Sequence, residues 1–233
     1  MGYVVGKTQE HSDPAIRRID HLICEVPDIH EALRHFTDVL GFPEAWPVGR
    51  FWPSGRTCGV ALGGLNLEFI QLDENPIDIA RITTIVFEPT SLEAAQRQLA
   101  KQGIQSKLFE KIEPDPALLA LRGFPPEQTQ TPQLICRNLL IEGASPFPFF
   151  FCDYVPFLRE RLDIASPHGK VIRLSIQMEE RPGGIRLFSH LGYLGDVEIY
   201  AEEEAAEPTM ATEIRLDTGP LDLQGFPAAF RFS

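Results

Sequence analysis

The chain is short of positive charge: 21 Lys and Arg stand against 33 Asp and Glu, for a net charge of −12. A nucleic-acid partner needs clustered Lys and Arg, and so does docking on an anionic membrane, so neither is expected. The acidic surplus reads as a solubility device. Cysteine is scarce as well. Cys24, Cys58, Cys136 and Cys152 lie far apart with no CxxC pair, which excludes a zinc ribbon or a dense disulfide framework. No apolar run approaches the length of a transmembrane helix. Residues 1–14 are polar after Val5 and carry no signal-peptide core, so a cytoplasmic location is expected. No Ser–His–Asp set or Gly-rich phosphate loop stands out, and Gly183-Gly184 reads only as a turn.

What the chain does contain is a repeat. Arg18-Ile19-Asp20-His21-Leu22-Ile23-Cys24-Glu25-Val26-Pro27-Asp28 reads as a buried strand feeding an amphipathic helix over Ile29 to Leu40. The pattern returns at Arg81-Ile82-Thr83-Thr84-Ile85-Val86-Phe87-Glu88 and the run Ser91 to Gln102, and more loosely from Val171. A recurring unit of this size governs the whole fold. Asp28 with Glu31, and Thr90 with Glu93, offer helix caps of the capping-box type. Gly63-Gly64 is the turn of a hairpin joining Cys58–Leu62 to Leu65–Leu72. Arg50 to Arg56 reads as a loop. Glu113 to Pro132 reads as a long loop with one helical turn, a length that is uncommon unless functional or disordered. The expected divisions are an arm over 1–15, modules over 16–76 and 77–155, a connector over 156–170, and a third module over 171–233.

This strand, helix, three-strand repeat carries Ile19-Asp20-His21-Leu22 at its head and Leu67-Glu68-Phe69-Ile70 at its end. With Phe149-Phe150-Phe151 and Ser166-Pro167-His168-Gly169 at the later join, it resembles the vicinal oxygen chelate superfamily, in its glyoxalase-like branch with three βαβββ modules. The resemblance implies an α+β fold of repeated βαβββ modules forming cupped mixed sheets, like the glyoxalase, bleomycin-resistance and dihydroxybiphenyl-dioxygenase proteins. It also implies a pocket in which each of two modules gives a metal ligand from its first strand and another from its fourth.

His21 and Glu68 match two of those ligand positions. Alternation puts His21 on a strand face with Ile19 and Ile23, and Glu68 on a face with Asn66 and Ile70. A polar side chain among apolar neighbours in a strand is costly without a partner. Imidazole plus carboxylate can begin a site for Fe, Mn, Ni or Zn; the same two residues read equally as a hydrogen-bonded pair. In the second module Thr84 stands in the place of His21 and Phe149 near that of Glu68. Neither is a useful ligand, and Asp153 is the remaining candidate. Two ligands rarely hold a divalent ion. In the third module only Asp222 is offered. Arg50, Trp52 and Arg56 rim the cup in the resembling fold, where Arg suits a carboxylate and Trp a planar group. Thr84, Phe149 and Phe151 would complete the substrate wall.

Two functions follow. The first is an enzyme acting on a small molecule, of isomerase, lyase or dioxygenase type, with a divalent metal on His21 and Glu68 acting as Lewis acid and Glu68 serving also as base. The second is a metal-free binding protein of the same fold, like the family's drug-sequestering members. A scaffold role is a third. An odd module count leaves one without a mate, which suggests a homodimer through the third.

Overall fold

The computed structural model describes residues 3–5, 13–74, 76–178, 181–202, 211–220 and 231–232. The first unit runs β2 (Ile16–Glu25), α1 (Ile29–Arg34) continuing as a π-helical turn (His35–Val39), β3 (Glu44–Trp52), β4 (Gly55–Ala61) and β5 (Asn66–Leu72), preceded by a short β1 (Tyr3–Val5). The second runs β6 (Arg81–Pro89), α2 (Leu92–Lys101), β7 (Gln105–Glu113), α3 (Pro116–Leu121), β8 (Gln133–Glu142) and β9 (Phe149–Tyr154). After α4 (Pro156–Leu162) come β10 (Val171–Gln177), α5 (Arg181–Leu191), β11 (Glu198–Glu202), β12 (Ala211–Leu216) and β13 (Arg231–Phe232).

Units one and two share one eight-stranded curled sheet in the order β3-β4-β5-β2-β6-β9-β8-β7. Each unit has its first strand beside its fourth in parallel, and the two first strands meet antiparallel at the centre. The order is therefore the same read from either end, as a local twofold requires. One face of the sheet carries α1 and α2. Leu22, Cys24, Phe69, Ile85, Phe87, Phe149 and Phe151 pack there against Ile29, Ala32, Phe36, Ala95 and Leu99, all buried. The other face carries a smaller cluster of Val86, Leu119, Phe124, Ile135, Cys136, Cys152 and Leu158, closed by α3 and α4.

The first helix is capped as expected, with the Asp28 carboxylate accepting from the backbone N–H of His30 and Glu31. The second is capped one residue later than the pattern suggested. Ser91 accepts from Ala94 N–H, while the Thr90 hydroxyl donates to the Pro14 carbonyl. The Gly63-Gly64 hairpin turn forms with both residues at positive φ. A Cβ on Gly63 would meet the Gly169 carbonyl oxygen at 2.0 Å, and its own carbonyl accepts from Val171 N–H. Only glycine lets the turn approach the third unit this closely. The expected loop over Arg50 to Arg56 is mostly strand, turned tightly between Trp52 and Gly55.

The third sheet has the order β1-β11-β10-β12-β13. Here β10 pairs directly in parallel with β11, the strand after α5, whereas the strand after the helix lies at the outer edge in the first two units. Tyr3–Val5, read from sequence as part of a frayed arm, pairs antiparallel with β11. Asp222 and the expected strand Leu221 to Leu223 lie outside the described residues. The third unit packs on the second: Phe188 of α5 stacks on Phe147 with ring centres 4.8 Å apart and meets Phe87 edge-on.

Candidate ligand cleft

His21 and Glu68 come together on the sheet face opposite α1 and α2, and a β-bulge explains how. Across β2 and β6, Ile19 pairs with Phe87 but His21 pairs with Val86, so Asp20 is an extra residue. Bulges of this kind re-aim a side chain. Ile19 accordingly lies in the helix-side core with Leu22 and Cys24, while His21 faces the cleft with Ile23. Simple alternation put Ile19 and His21 on one face; the bulge separates them. It also lets consecutive residues meet: His21 Nδ1 donates to Asp20 Oδ2 at 2.6 Å, and His21 Nε2 lies 3.2 Å from Glu68 Oε2. All three side chains are buried. Trp52 Nε1 reaches the other Glu68 oxygen at 3.4 Å.

Burial by itself would drive His21 towards the neutral form. The hydrogen bonds to Asp20 and Glu68, with the charges behind them, outweigh it and push the imidazole up to about 10. Burial likewise opposes the Glu68 carboxylate, yet the His21 bond and charge hold it below the usual range. The trio is thus carboxylate, imidazolium, carboxylate.

The cleft around this trio is narrow and partly open to solvent. Trp46, Phe51, Trp52 and Phe150 line it, and Thr57, Asn138, Cys136, Cys152 and Tyr154 add polar or thiol groups. Lys111 of β7, Arg122 just past α3 and Arg161 of α4 bring positive charge. The Cys136 thiol is drawn below its ordinary value, first by a hydrogen bond from Cys152 and, against burial, by Lys111 and Arg122.

Several expected site residues sit elsewhere. Phe149 and Phe151 point into the helix-side core, where they pack on Phe87; Phe150 between them faces the cleft. Asp153 shares the parity of Phe149 and Phe151, so it too turns away, and it pairs with Arg159 at 2.5 Å. Arg50 forms an exposed pair with Asp73, and Arg56 bonds Gln71 and His30. Neither lines the cleft, nor does Thr84. The expected rim is kept by Trp52 alone. Lys111 and Arg122 were missed because a lysine in an exposed-looking strand and an arginine in a long loop carry no periodic signal. The length of that loop was the one hint.

Register fixes what corresponds to what. Across the centre, His21 pairs with Val86 and Ile23 with Thr84. Ile23 is beside Glu68 on β5, and Val86 is beside Phe150 on β9. A twofold between these pairs exchanges His21 with Thr84 and Glu68 with Phe150. Phe150, not Phe149, is therefore the counterpart of Glu68. A divalent ion here would find one imidazole and one carboxylate, which already satisfy each other, opposite a hydroxyl and a phenyl ring. It would also have to displace a proton held by two carboxylates and sit in a cleft lined by Lys111 and Arg122. No group of three or more His, Cys, Asp or Glu poised for a metal occurs among the described residues. This donor set does not fit a resident divalent metal.

No family model and no curated protein matches the chain. Solved structures do. A hypothetical protein from Staphylococcus aureus superposes with a TM-score of 0.62 at 10% identity, covering 93% of this chain and 98% of the other. Homoprotocatechuate 2,3-dioxygenase from Brevibacterium fuscum, in complex with 3,4-dihydroxyphenylacetate, gives 0.53 at 14% identity and covers 91% of this chain. The chain spans only 66% of that dioxygenase. A mutant of 4-hydroxymandelate synthase from Streptomyces coelicolor gives 0.56 at 9% identity, over 86% and 71% of the two chains. No helix among the described residues is long and apolar enough to cross a membrane. At these identities the likeness is one of fold: the chain is an α+β protein of repeated βαβββ units on a curled mixed sheet, the vicinal-oxygen-chelate type of architecture.

Proposed function

We propose that this chain is a member of the vicinal oxygen chelate superfamily that binds a small molecule in the cleft between Trp52 and Phe150 without a resident metal. One observation carries the reading. The strand register makes Thr84 and Phe150 the counterparts of His21 and Glu68, so half of a symmetric ligand set is a hydroxyl and a ring. The remaining half is a closed ion pair. The aromatic lining supports a planar ligand, since flat rings gain area and stacking there. With both N–H groups of the His21 imidazolium taken by Asp20 and Glu68, the Glu68 carboxylate would be the group that accepts from a ligand hydroxyl at the cleft floor.

A metal-dependent isomerase, lyase or dioxygenase is the second reading, and one feature favours it. Asp20 fixes His21 through Nδ1 and turns Nε2 towards Glu68, the arrangement by which a carboxylate orients a metal-binding histidine beside a second ligand.

Metal content of the freshly purified protein, measured by inductively coupled plasma mass spectrometry beside His21→Ala and Glu68→Ala, separates the two. Substoichiometric metal in all three, with none taken up on dialysis against Fe, Mn, Ni or Zn, is expected. Near-stoichiometric metal in the parent that disappears in both variants would overturn the metal-free reading.

A further inference from the structure

The cleft has the opposite charge balance to its protein. The chain carries −12 overall, yet the charged side chains lining the cleft are His21, Lys111, Arg122 and Arg161 against Glu68 alone. Even counting Asp20 behind His21, positive charge is in excess.

Lys111 and Arg122 are incompletely satisfied. Neither has a carboxylate within salt-bridge distance among the described residues. Lys111 Nζ donates to the Phe51 carbonyl and stands 4.4 Å from the centre of the Trp52 ring. The Arg122 guanidinium lies 4.1 Å from the Phe51 ring, and its Nε is buried without a hydrogen-bond partner. A buried donor left unpaired is destabilising, because it has lost its water without gaining a partner. The two cations also repel. Burial first, and then the charge of Arg122, hold the Lys111 ammonium below its ordinary value. The field reaches across the strands to Cys136, which pairs with Lys111 in the β7–β8 register. An anion between the two cations would relieve all of these costs together.

We propose that Lys111 and Arg122 form a carboxylate-binding subsite, and that the natural ligand is a planar organic acid. Its ring lies against Trp52 and Phe150, and an oxygen at its far end meets the His21–Glu68 pair. This rests on the cleft reading and specifies its ligand. A flat, singly charged head suits the site, because a guanidinium offers paired planar donors and one ammonium completes them.

The test uses a built-in reporter. Both tryptophans of the chain, Trp46 and Trp52, line the cleft, so intrinsic fluorescence reports occupancy directly. Benzoate, phenylacetate and 4-hydroxybenzoate are each titrated beside the corresponding amide near neutral pH. At least one acid should bind about tenfold or more tightly than its amide, a gap of roughly 1.4 kcal/mol. Arg122→Gln and Lys111→Gln should each erase that preference, with circular dichroism checking the fold; if one variant misfolds, the other decides. Acids and amides binding alike would sink the subsite and leave the cleft reading standing. So would an acid preference that survives in a folded variant. No fluorescence change with any compound up to millimolar concentration would overturn both.

Discussion

Protonated His21 makes stability fall as pH rises across a range where most proteins are steady. The imidazole is raised from its ordinary 6.5 to about 10 in the folded chain. Folding therefore favours the protonated form, and that contribution is complete below pH 6.5. It is lost progressively as pH climbs from 6.5 towards 10, because over that range the unfolded chain gives up a proton that the folded protein still holds. Each tenfold in proton affinity is about 1.4 kcal/mol, so the contribution is roughly 5 kcal/mol at most. The lowered Glu68 carboxylate is the other side of the same interaction and is not added again. Urea unfolding between pH 6 and 10 should show this decline. Glu68→Gln removes one of the two carboxylates and should flatten it. Lys111 and Cys136 line the same cleft and are both held below their ordinary values, so the difference between the parent and Glu68→Gln curves, rather than the parent curve alone, reports the share due to His21. An imidazole that titrates near 6.5 by NMR, with stability level across the window, would refute the reasoning.

Two further predictions test the register and the buried charges. Thr84→His together with Phe150→Glu should complete a symmetric four-donor set with His21 and Glu68, and should take up Zn or Mn to near one ion per chain by isothermal titration calorimetry. Absence of uptake in a folded double variant would show that the twofold assignment is wrong. Glu88 is buried and receives Arg17 at 3.0 Å, Arg18 at 2.6 Å and Arg159 at 3.2 Å. Glu88→Gln removes a counter-charge shared by three arginines, of which Arg159 keeps Asp153 and Arg18 keeps Asp163 at 3.8 Å, and should lower unfolding free energy by about 2 kcal/mol, read from denaturant melts.

Much of the architecture was legible because it rests on local chemistry. The strand around His21, its echo around Thr84, the Asp28 cap and the Gly63-Gly64 turn are short-range patterns, and the structure has each of them. The site was legible only in part, for physical reasons. A period-2 reading fails by one residue wherever a bulge intervenes, and the extra Asp20 breaks the alternation that joined Ile19 to His21. Three consecutive phenylalanines give no parity signal at all, so only pairing with β6 tells Phe150 from Phe149. Lys111 comes from β7 and Arg122 from the end of α3, brought to Trp52 and Phe51 by long-range packing.

The pairing of β1 with β11 has a consequence for the order in which this chain folds. Tyr3 meets Ala201 and Val5 meets Ile199. β1 must therefore wait until both preceding units and α5 have been made before its partner exists, and contacts of such long sequence separation form late because the intervening loop must first be closed. The eight-stranded sheet, whose pairs lie within residues 16–154, can assemble while the third unit is still being made. Nascent chains would then carry a finished cleft beside an unclaimed β1, and the joining of β1 to β11 would follow the cleft rather than precede it.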